Sequence, residues 1–311
     1  MAGFTGRRAR ANALLLLASA IWGFAFVAQR IGANVVGPFT FNAVRFALGA
    51  LVVVAIAWWL GRRRGVSWER RRRAWRPALV PGLVAGVLLT VASNLQQAAM
   101  ATVPAGNAAF ITGLYMVFVP VIAAFRGHRS TWTTILGVAS SVVGLYLIAV
   151  TDALTIGTGE VLLIVSTLVW AGQILVIDHF APRVSSLRFA AVQFATCAVL
   201  SAVAAPMFEP APFSGIAAAI VPILYGGVLS VGVAFTLQVV GQRDALATHA
   251  ALIMAMESVF GAIGGALLLG EDMGPRGYVG AVLMVIGIVV SQWGAVAAAS
   301  RAAPDTAEVL T

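Results

Sequence analysis

The sequence contains no lysine, a single cysteine and few charged residues of either sign in its 311 positions. Without lysine it lacks a Walker-type phosphate loop, which excludes ATP hydrolysis by that machinery. Cys197 has no partner for an intramolecular disulfide, and neither a His-x-x-x-His pattern nor a cysteine cluster offers metal ligands. No apolar segment carries the paired carboxylates of general acid–base catalysis. We therefore expect a protein without catalytic activity, metal or cofactor.

Apolar residues dominate the composition instead. They make up 60% of the chain against 10% charged residues, and the mean hydropathy is +0.96. Soluble domains average roughly 45–50% apolar residues. The chain is therefore expected to lie in a lipid bilayer.

Ten apolar runs follow one another along the chain, each of about 20 residues, the length that a helix needs to cross a hydrocarbon core. They cover residues 12–31, 38–60, 78–100, 103–125, 131–150, 158–179, 185–206, 216–240, 246–269 and 275–297. Pro120 is expected to break the fourth run near its cytoplasmic end. These runs predict an all-α membrane protein with ten transmembrane helices.

All 20 basic residues are arginines, and eight of them lie between Arg62 and Arg76. Such a basic run also occurs in nucleic-acid-binding proteins, but here it separates two apolar runs, where arginines face the cytoplasm or anionic headgroups. We expect no nucleic-acid partner. With the N-terminus inside, 17 arginines fall on cytoplasmic segments and three on the outer side. The termini, residues 1–11 and 298–311, are both expected in the cytoplasm, and the polar end from 302 is expected to be disordered.

The second half of the sequence repeats the first. Trp22 corresponds to Trp170 at an offset of 148, and other matches recur at offsets of 141 to 148. These matches pair residues 41–47 with 189–195, 107–109 with 249–251, Gly137 with Gly280 and Gly144 with Gly287. Two five-helix units, 12–150 and 151–297, follow from this pattern. Because five is odd, the second unit enters from the opposite face, which gives a 5+5 inverted-topology repeat, an arrangement typical of secondary transporters. Gene duplication without transport is the alternative.

Several short motifs resemble the EamA branch of the drug/metabolite transporter superfamily. They are the Ala-x-x-Trp-Gly-like element at residues 19–23, the pair Arg45-Phe46, and Glu257 followed by a Gly-rich helix and Gly270-Glu271. Ser258 stands where family members commonly have proline. Within this branch the chain is most similar to bacterial inner-membrane exporters of amino acids, aromatic ones among them. The resemblance implies alternating access and a small-molecule substrate.

Glu257 is the one acidic residue deep inside an apolar run. A carboxylate there is unfavourable by roughly 2.5–3.5 kcal/mol on insertion scales, so such residues usually face a wet interior and mark function. Its counterpart in the first half is Tyr115, at an offset of 142. We expect the two to meet at a substrate site. The alternative is a hydrogen-bonded glutamate that holds helices together.

Trp22 and Trp170 lie well inside their runs, although tryptophan favours membrane interfaces. Trp22 shares a helical face with Ser19, Phe26 and Gln29. Two indoles related by the repeat are expected to form a wall against apolar or aromatic substrates. Ordinary helix packing is the alternative.

Amide side chains complete the predicted substrate-binding set. Asn94 and Gln97 share a face of the third run, Gln238 repeats Gln97 in the eighth, and Asn42 lies in the second. Amides both donate and accept hydrogen bonds, which suits a zwitterion, but they hold helices together equally well. Arg45 is expected to extend towards the outer interface.

These observations predict a monomeric exporter in the bacterial inner membrane for amino acids and related metabolites, and the substrate class follows from the resemblance alone. Two alternatives stay open. One is a carrier for another metabolite or a drug-like cation, with Glu257 as the counter-charge. The other is a scaffold that does not transport.

Overall fold

A computed structural model describes residues 2–125, 127, 130–149, 157–270 and 274–301. Across these ranges the regular structure is entirely helical, and the ten apolar runs form ten helical spans, with a short helix, Trp68–Arg73, between spans 2 and 3. In chain order, spans 1 to 10 are Ala2–Ala33, Pro38–Arg63, Arg76–Ala99, Ala105–Gly113 with Tyr115–Phe125, Trp132–Ala149, Thr158–Phe180, Ser186–Phe208, Ile220–Gly241, Ala247–Met254 with Glu257–Leu269, and Gly274–Arg301. Among the described residues, nine spans are long and apolar enough to cross a bilayer, and span 5 has a shorter apolar helix. The predicted membrane fold of ten helices is confirmed.

Local sequence signals explain where several spans begin and end. Span 2 begins at Pro38, whose missing N–H is not needed in the first turn. The next two backbone N–H groups, of Phe39 and Thr40, donate to the Glu209 carboxylate at 2.6 and 3.0 Å. Span 9 ends at Gly270, which has the left-handed φ of +70° typical of helix C-termini. Because Glu209 directly follows span 7, its bonds to Phe39 and Thr40 tie the end of span 7 to the start of span 2.

Two details differ from the sequence-based expectation, and a third is not tested. Span 1 begins at Ala2 rather than at residue 12, because the arginine-rich start continues the helix. The prediction that Pro120 breaks span 4 is wrong: the helix Tyr115–Phe125 runs through Pro120, and the break lies at Leu114. The predicted disorder from residue 302 falls outside the described residues.

Span 8 is wound unusually. It begins as an α-helix at Ile220–Leu224, continues as a π-helix over Tyr225–Phe235 and returns to α at Thr236–Gly241. π-helical turns are rare and occur frequently at functional sites. The segment contains three glycines, which makes room for span 2 to approach it closely.

Contacts between the spans follow a regular scheme. Span 2 packs against span 7, and span 5 against span 10. Span 3 contacts spans 6 and 7, while spans 1 and 2 both contact span 8. Span 1 also packs on span 9, and span 4 on span 6. Large apolar side chains on the outer faces, such as Leu51, Val80 and Leu267, are exposed, as expected for surfaces that meet lipid.

Glycines allow the tightest of these contacts. A Cβ atom on Gly137 would lie 2.5 Å from the carbonyl oxygen of Gly287, and one on Gly144 would lie 2.4 Å from that of Gly280. Spans 5 and 10 therefore touch backbone to backbone at two points. Small residues serve this purpose in membrane helix pairs, where packing rather than a hydrophobic driving force holds helices together.

Gly23 provides the first test of this packing. A Cβ atom there would lie 2.4 Å from Cβ of Phe260 and 2.7 Å from the carbonyl oxygen of Glu257. Gly23→Ala must push spans 1 and 9 apart, and we expect it to lower the free energy of unfolding by roughly 1–3 kcal/mol. Thermal unfolding of the detergent-purified protein measures this change.

Gly172→Ala is the matched control, because a Cβ atom at that helical position has no neighbour within 4 Å. Alanine is favoured over glycine in a helix by about 0.5–1 kcal/mol, so this variant is expected to be as stable as the wild type or slightly more stable. If Gly23→Ala unfolds at the same temperature as Gly172→Ala, the close approach of spans 1 and 9 is wrong.

Candidate functional site

A cavity lies at the centre of the bundle, between residues from the middle of several spans of both halves. Its volume is about 40 Å³ in this conformation, enough for a few water molecules. Its lining residues are Trp22, Phe26, Gln29, Arg45, Gln96, Thr112, Tyr115, Trp170, Ile174, Ser230, Phe235, Gln238, Met254 and Glu257. Apolar and aromatic groups thus surround a small number of polar ones, the usual composition of a ligand site.

Three aromatic rings form one wall of this cavity. Phe235 lies between the two predicted indoles, with ring centroids 4.7 Å from Trp22 and 5.7 Å from Trp170. Both indole N–H groups have acceptors: Trp22 Nε1 donates to the Ser230 carbonyl at 3.3 Å, and Trp170 Nε1 donates to Gln96 Oε1 at 2.9 Å. The indoles are therefore held in fixed orientations, and their rings remain as an apolar surface of the cavity.

Two spans are broken at the level of the cavity. Span 4 is interrupted at Leu114, and its second helix begins with Tyr115. Span 9 is interrupted at Ala255 and Met256, and its second helix begins with Glu257. Discontinuous membrane helices commonly build substrate and ion sites from their half-helix ends. The positive end of the helix dipole also favours a negative charge at the first residue, as on Glu257.

Side chains of neighbouring spans also bond to the backbone of the helix before the break in span 4. The hydroxyl of Thr167 donates to the Ile111 carbonyl at 3.0 Å, and that of Ser258 donates to the Ala109 carbonyl at 2.8 Å. In the family pattern proline is common at position 258, and proline has no hydroxyl to make such a bond. Ser258 therefore fixes span 9 to span 4 right beside Glu257.

Glu257 is buried, and its carboxyl group lies beside the hydroxyl of Tyr115. This contact falls short of ordinary hydrogen-bond geometry, since the Tyr115 hydroxyl and Glu257 Oε1 both lack a hydrogen-bond partner. Two polar groups that are buried but only loosely paired have capacity left for a ligand.

Arg45 is also part of the cavity wall, and its predicted extension to the membrane interface is wrong. The side chain is only 3% exposed, and its Nε donates to Asn42 Oδ1 at 2.7 Å. Its guanidinium carbon lies 5.3 and 5.0 Å from the ring centroids of Phe41 and Phe46. These contacts hold the charge inside the bundle, because cation–π interactions are strongest where water is excluded.

Amide groups link the spans on both sides of the cavity. In one layer, Gln96 Nε2 donates to Gln29 Oε1 at 3.1 Å, and Gln97 Nε2 donates to the Gln29 carbonyl at 3.1 Å. In the other layer, Gln238 Nε2 donates to Gln173 Oε1 at 3.4 Å. The first layer connects spans 1 and 3, and the second connects spans 6 and 8. The two layers lie towards opposite ends of the spans.

A surface depression approaches the cavity from the end that holds Arg7 and Arg8. Gln242 lines this depression, Ile174 lines the cavity, and Gln242 Nε2 donates to the Ile174 carbonyl at 3.0 Å. A residue that lines the depression therefore contacts a residue that lines the central space.

The eight predicted site residues fall into two groups. Five of them line the cavity, namely Trp22, Tyr115, Trp170, Gln238 and Glu257. The other three lie behind its wall, where Asn42, Asn94 and Gln97 bond to protein groups. Asn42 Nδ2 donates to Asn94 Oδ1 at 2.9 Å, and its own oxygen holds Arg45. The structure thus brings the aromatic and acidic candidates together and gives Asn42 a supporting position.

Sequence reasoning missed Phe235, Arg45 and Gln96 as lining residues. Phe235 lies three positions before Gln238, on the same face, so helical spacing was an available signal. Arg45 was visible as a charge inside an apolar run, and intramembrane charges mark functional sites. Gln96 carries no signal that separates it from Gln97, because both are amides near the end of one span.

Known proteins share both the sequence and the shape of this chain. The EamA-like transporter family matches it twice, over residues 9–150 and again over residues 157–293. An uncharacterized transporter from Archaeoglobus fulgidus is 26% identical over 286 residues, which cover 91% of this chain and 86% of the relative. A solved structure described as a crystal structure of a protein superposes with a TM-score of 0.72 at 19% identity, covering 92% of this chain and 97% of the other. This last likeness establishes the fold alone.

Proposed function

Since the chain belongs to the EamA-like transporter family, we propose that this multi-pass membrane protein is a secondary carrier that exports amino acids, aromatic ones included, and related small metabolites across a bacterial inner membrane. It works by alternating access, driven by a gradient of substrate or ions. The observation that carries the proposal is the central cavity, which combines an aromatic wall with a few polar groups in the middle of the bundle.

Two observations support an inverted repeat as the basis of alternating access. The family matches each half of the chain separately. The contacts between spans also come in the pairs that a two-fold relation requires: span 3 with 7 corresponds to span 8 with 2, and span 3 with 6 corresponds to span 8 with 1. In such carriers a site near the midplane is exposed to one side and then to the other.

A drug-like cation is a less suitable substrate than an amino acid. Glu257 alone would favour a cation, but the same cavity contains the positive charge of Arg45. A ligand with a single positive charge would meet repulsion from this guanidinium. A zwitterion offers one group of each sign to the two side chains.

Counterflow in liposomes tests the proposed function. Purified protein is reconstituted into vesicles loaded with one solute from a panel of amino acids and metabolites, and uptake of the labelled solute is followed. We expect accumulation with amino acids, and none in protein-free vesicles. If no solute of a broad panel exchanges, the scaffold alternative is favoured.

The orientation of the chain is tested by thiol labelling, because Cys197 is buried and the chain has no other cysteine. In a Cys197→Ala background, Ser214→Cys places a thiol beyond span 7, and Ser67→Cys places one before the short helix, both at exposed positions. From the arginine distribution we expect an impermeant maleimide to label position 214 in intact cells, and position 67 only after permeabilisation. The reverse result overturns cytoplasmic termini. Asp152 and Glu271, expected on the outer side with Glu209, fall outside the described residues.

Glu257→Gln tests whether proton movement accompanies transport. Glutamine keeps hydrogen-bonding capacity but cannot titrate, so we expect a folded protein whose flux no longer depends on pH in the way that the wild type does. Flux measured between pH 5 and 9 in liposomes checks this. Glu69→Gln, on the exposed short helix, is the control and is expected to keep the wild-type profile. An unchanged profile in Glu257→Gln assigns this residue to helix packing.

A further inference from the structure

We propose that Arg45 is the carboxylate-binding residue of the central cavity and that Glu257 receives the ammonium group of the same substrate. The cavity would then select α-amino acids by reading both of their charged groups. This inference rests on the proposed function and assigns the residues that carry its specificity. Arg45 was not among the site residues expected from the sequence.

The charge of Arg45 has no counter-ion among the described residues. Nothing within the described residues forms an ion pair with it, and its one hydrogen bond to protein is donated by Nε to Asn42. A buried charge without a counter-ion is unfavourable by several kcal/mol, yet the bundle keeps this one 3% exposed at the cavity wall. An anionic group of a ligand would supply the missing counter-charge.

Hydrogen bonds to neighbouring amides fix the orientation of the Arg45 guanidinium. Asn42 accepts from Nε, and Asn42 is itself fixed by Asn94, whose Nδ2 donates to Ser201 Oγ at 2.8 Å. This chain of hydrogen bonds holds the guanidinium at Nε and leaves its two terminal nitrogens for a ligand. Two parallel N–H groups of an arginine match the two oxygens of a carboxylate. Asn42 and Asn94, which were predicted to bind substrate, thus act by positioning Arg45.

Glu257 lines the same cavity as Arg45 but belongs to the other half of the chain. Its carboxylate begins a half-helix, and its Oε1 has no hydrogen-bond partner. An ammonium group would donate to this oxygen, and the Tyr115 hydroxyl lies beside it. The aromatic wall of Trp22, Trp170 and Phe235 borders the same space and would take an apolar side chain.

A purely structural role for Arg45 is the alternative that the experiment must separate. The second half of the sequence speaks against it. Gln193, at the corresponding position 148 residues later, is fully buried without a charge. The fold therefore accepts an uncharged amide at this place in a span, and packing alone does not require a guanidinium.

Three matched compounds form the test: phenylalanine, phenethylamine, which lacks only the carboxylate, and hydrocinnamate, which lacks only the amino group. Dissociation constants are measured by calorimetry on purified protein, and exchange is measured in liposomes. We expect Arg45→Gln to weaken phenylalanine binding by about ten- to hundred-fold, the range for a lost hydrogen bond to a charged group. Phenethylamine binding is expected to stay constant or improve. Glu257→Gln is expected to weaken the binding of phenylalanine and to leave the binding of hydrocinnamate unchanged.

Arg30→Gln is the matched control, because Arg30 donates to the Met100 carbonyl and is not part of the cavity wall. It is expected to leave the order of the three affinities unchanged. Should Arg45→Gln fail to fold, Arg45→Lys decides, since it keeps the charge but loses the two-nitrogen fork. Phenylalanine binding is then expected to fall several-fold while that of phenethylamine stays constant.

Equal loss for all three compounds in the Arg45 variants would show a structural role and overturn the assignment. If the wild type exchanges amino acids and Arg45→Gln keeps the same preference between phenylalanine and phenethylamine, the assignment fails while the proposed function stands. If the wild type neither binds nor exchanges any proteinogenic amino acid, the proposed function fails and the assignment fails with it.

Discussion

Replacing Phe235 with alanine is expected to destabilise the protein and to remove its preference for bulky substrates. The ring is 6% exposed and contacts Trp22, Trp170, Phe46 and Phe194, with centroid distances between 4.7 and 6.0 Å. Truncating a buried phenylalanine costs about 3–5 kcal/mol, part of it from the cavity that remains. Because both indoles rest on this ring, they also lose their common support.

Thermal unfolding and counterflow with large and small amino acids measure the two effects of Phe235→Ala. Phe125→Ala is the control, since this side chain is 89% exposed at the end of span 4 and packs against little protein. Phe235→Leu retains most of the volume and is expected to regain stability without full selectivity. If Phe235→Ala unfolds like Phe125→Ala, the ring is not the centre of the wall.

Truncating either indole to alanine is expected to weaken transport of bulky apolar substrates more than that of small ones. Apolar surface contributes about 25 cal/mol per Å², so loss of ~50 Å² of shared contact weakens binding by about 1.3 kcal/mol, near a factor of ten. Trp22→Ala and Trp170→Ala also leave the Ser230 carbonyl and Gln96 Oε1 without their donors. Phenylalanine at either position keeps one aromatic ring but loses the N–H and the area of the second ring, so it retains part of the wall without the hydrogen bond.

Competition between large and small amino acids, on folded protein, measures this selectivity. Trp59→Ala is the matched control, because that indole is 51% exposed and lies under the guanidinium of Arg63 near the end of span 2. It is expected to leave selectivity unchanged. A loss that is uniform across substrates of every size would mean that Trp22 and Trp170 hold spans together and do not form a substrate wall.

The sequence predicts the spans well because each is a long apolar run, and length alone identifies a membrane helix. It also predicts that Tyr115 and Glu257 meet, because the repeat relates their positions. The breaks beside these residues were not predicted. The hydroxyls of Thr167 and Ser258 bond to the helix before the break in span 4, but they come from other spans and become its partners only after folding. Pro120 was the visible local signal, and a helix tolerates it when neighbours pack around it.

Arg45 shows why side-chain direction is harder to predict than span position. A long cationic side chain two turns from a span end usually extends to the interface. Here the partners that turn it inwards are Asn42 on its own span and the rings of Phe41 and Phe46. The spacing of these residues can be read from the sequence. The burial of the whole cluster by spans 3, 7 and 8 cannot, because it depends on how the spans pack.

The winding of span 8 explains why residues that correspond in sequence do not both line the cavity. Pro81 and Pro222, like Gln97 and Gln238, match at the same offset of 141, so spans 3 and 8 contain equal numbers of residues between these points. Span 3 is α-helical throughout, whereas span 8 includes eleven π-helical residues.

A π-helix bonds i to i+5 and therefore completes fewer turns over the same number of residues. The end of span 8 is thus rotated about its axis relative to the end of span 3. This rotation accounts for Phe235 and Gln238 facing the cavity while their counterparts, Asn94 and Gln97, face neighbouring spans. If the proposed alternating access exchanges the roles of the two halves, span 8 must tighten and span 3 must loosen. The polar amides presented to the substrate would then change from one half to the other without any helix leaving its place in the bundle.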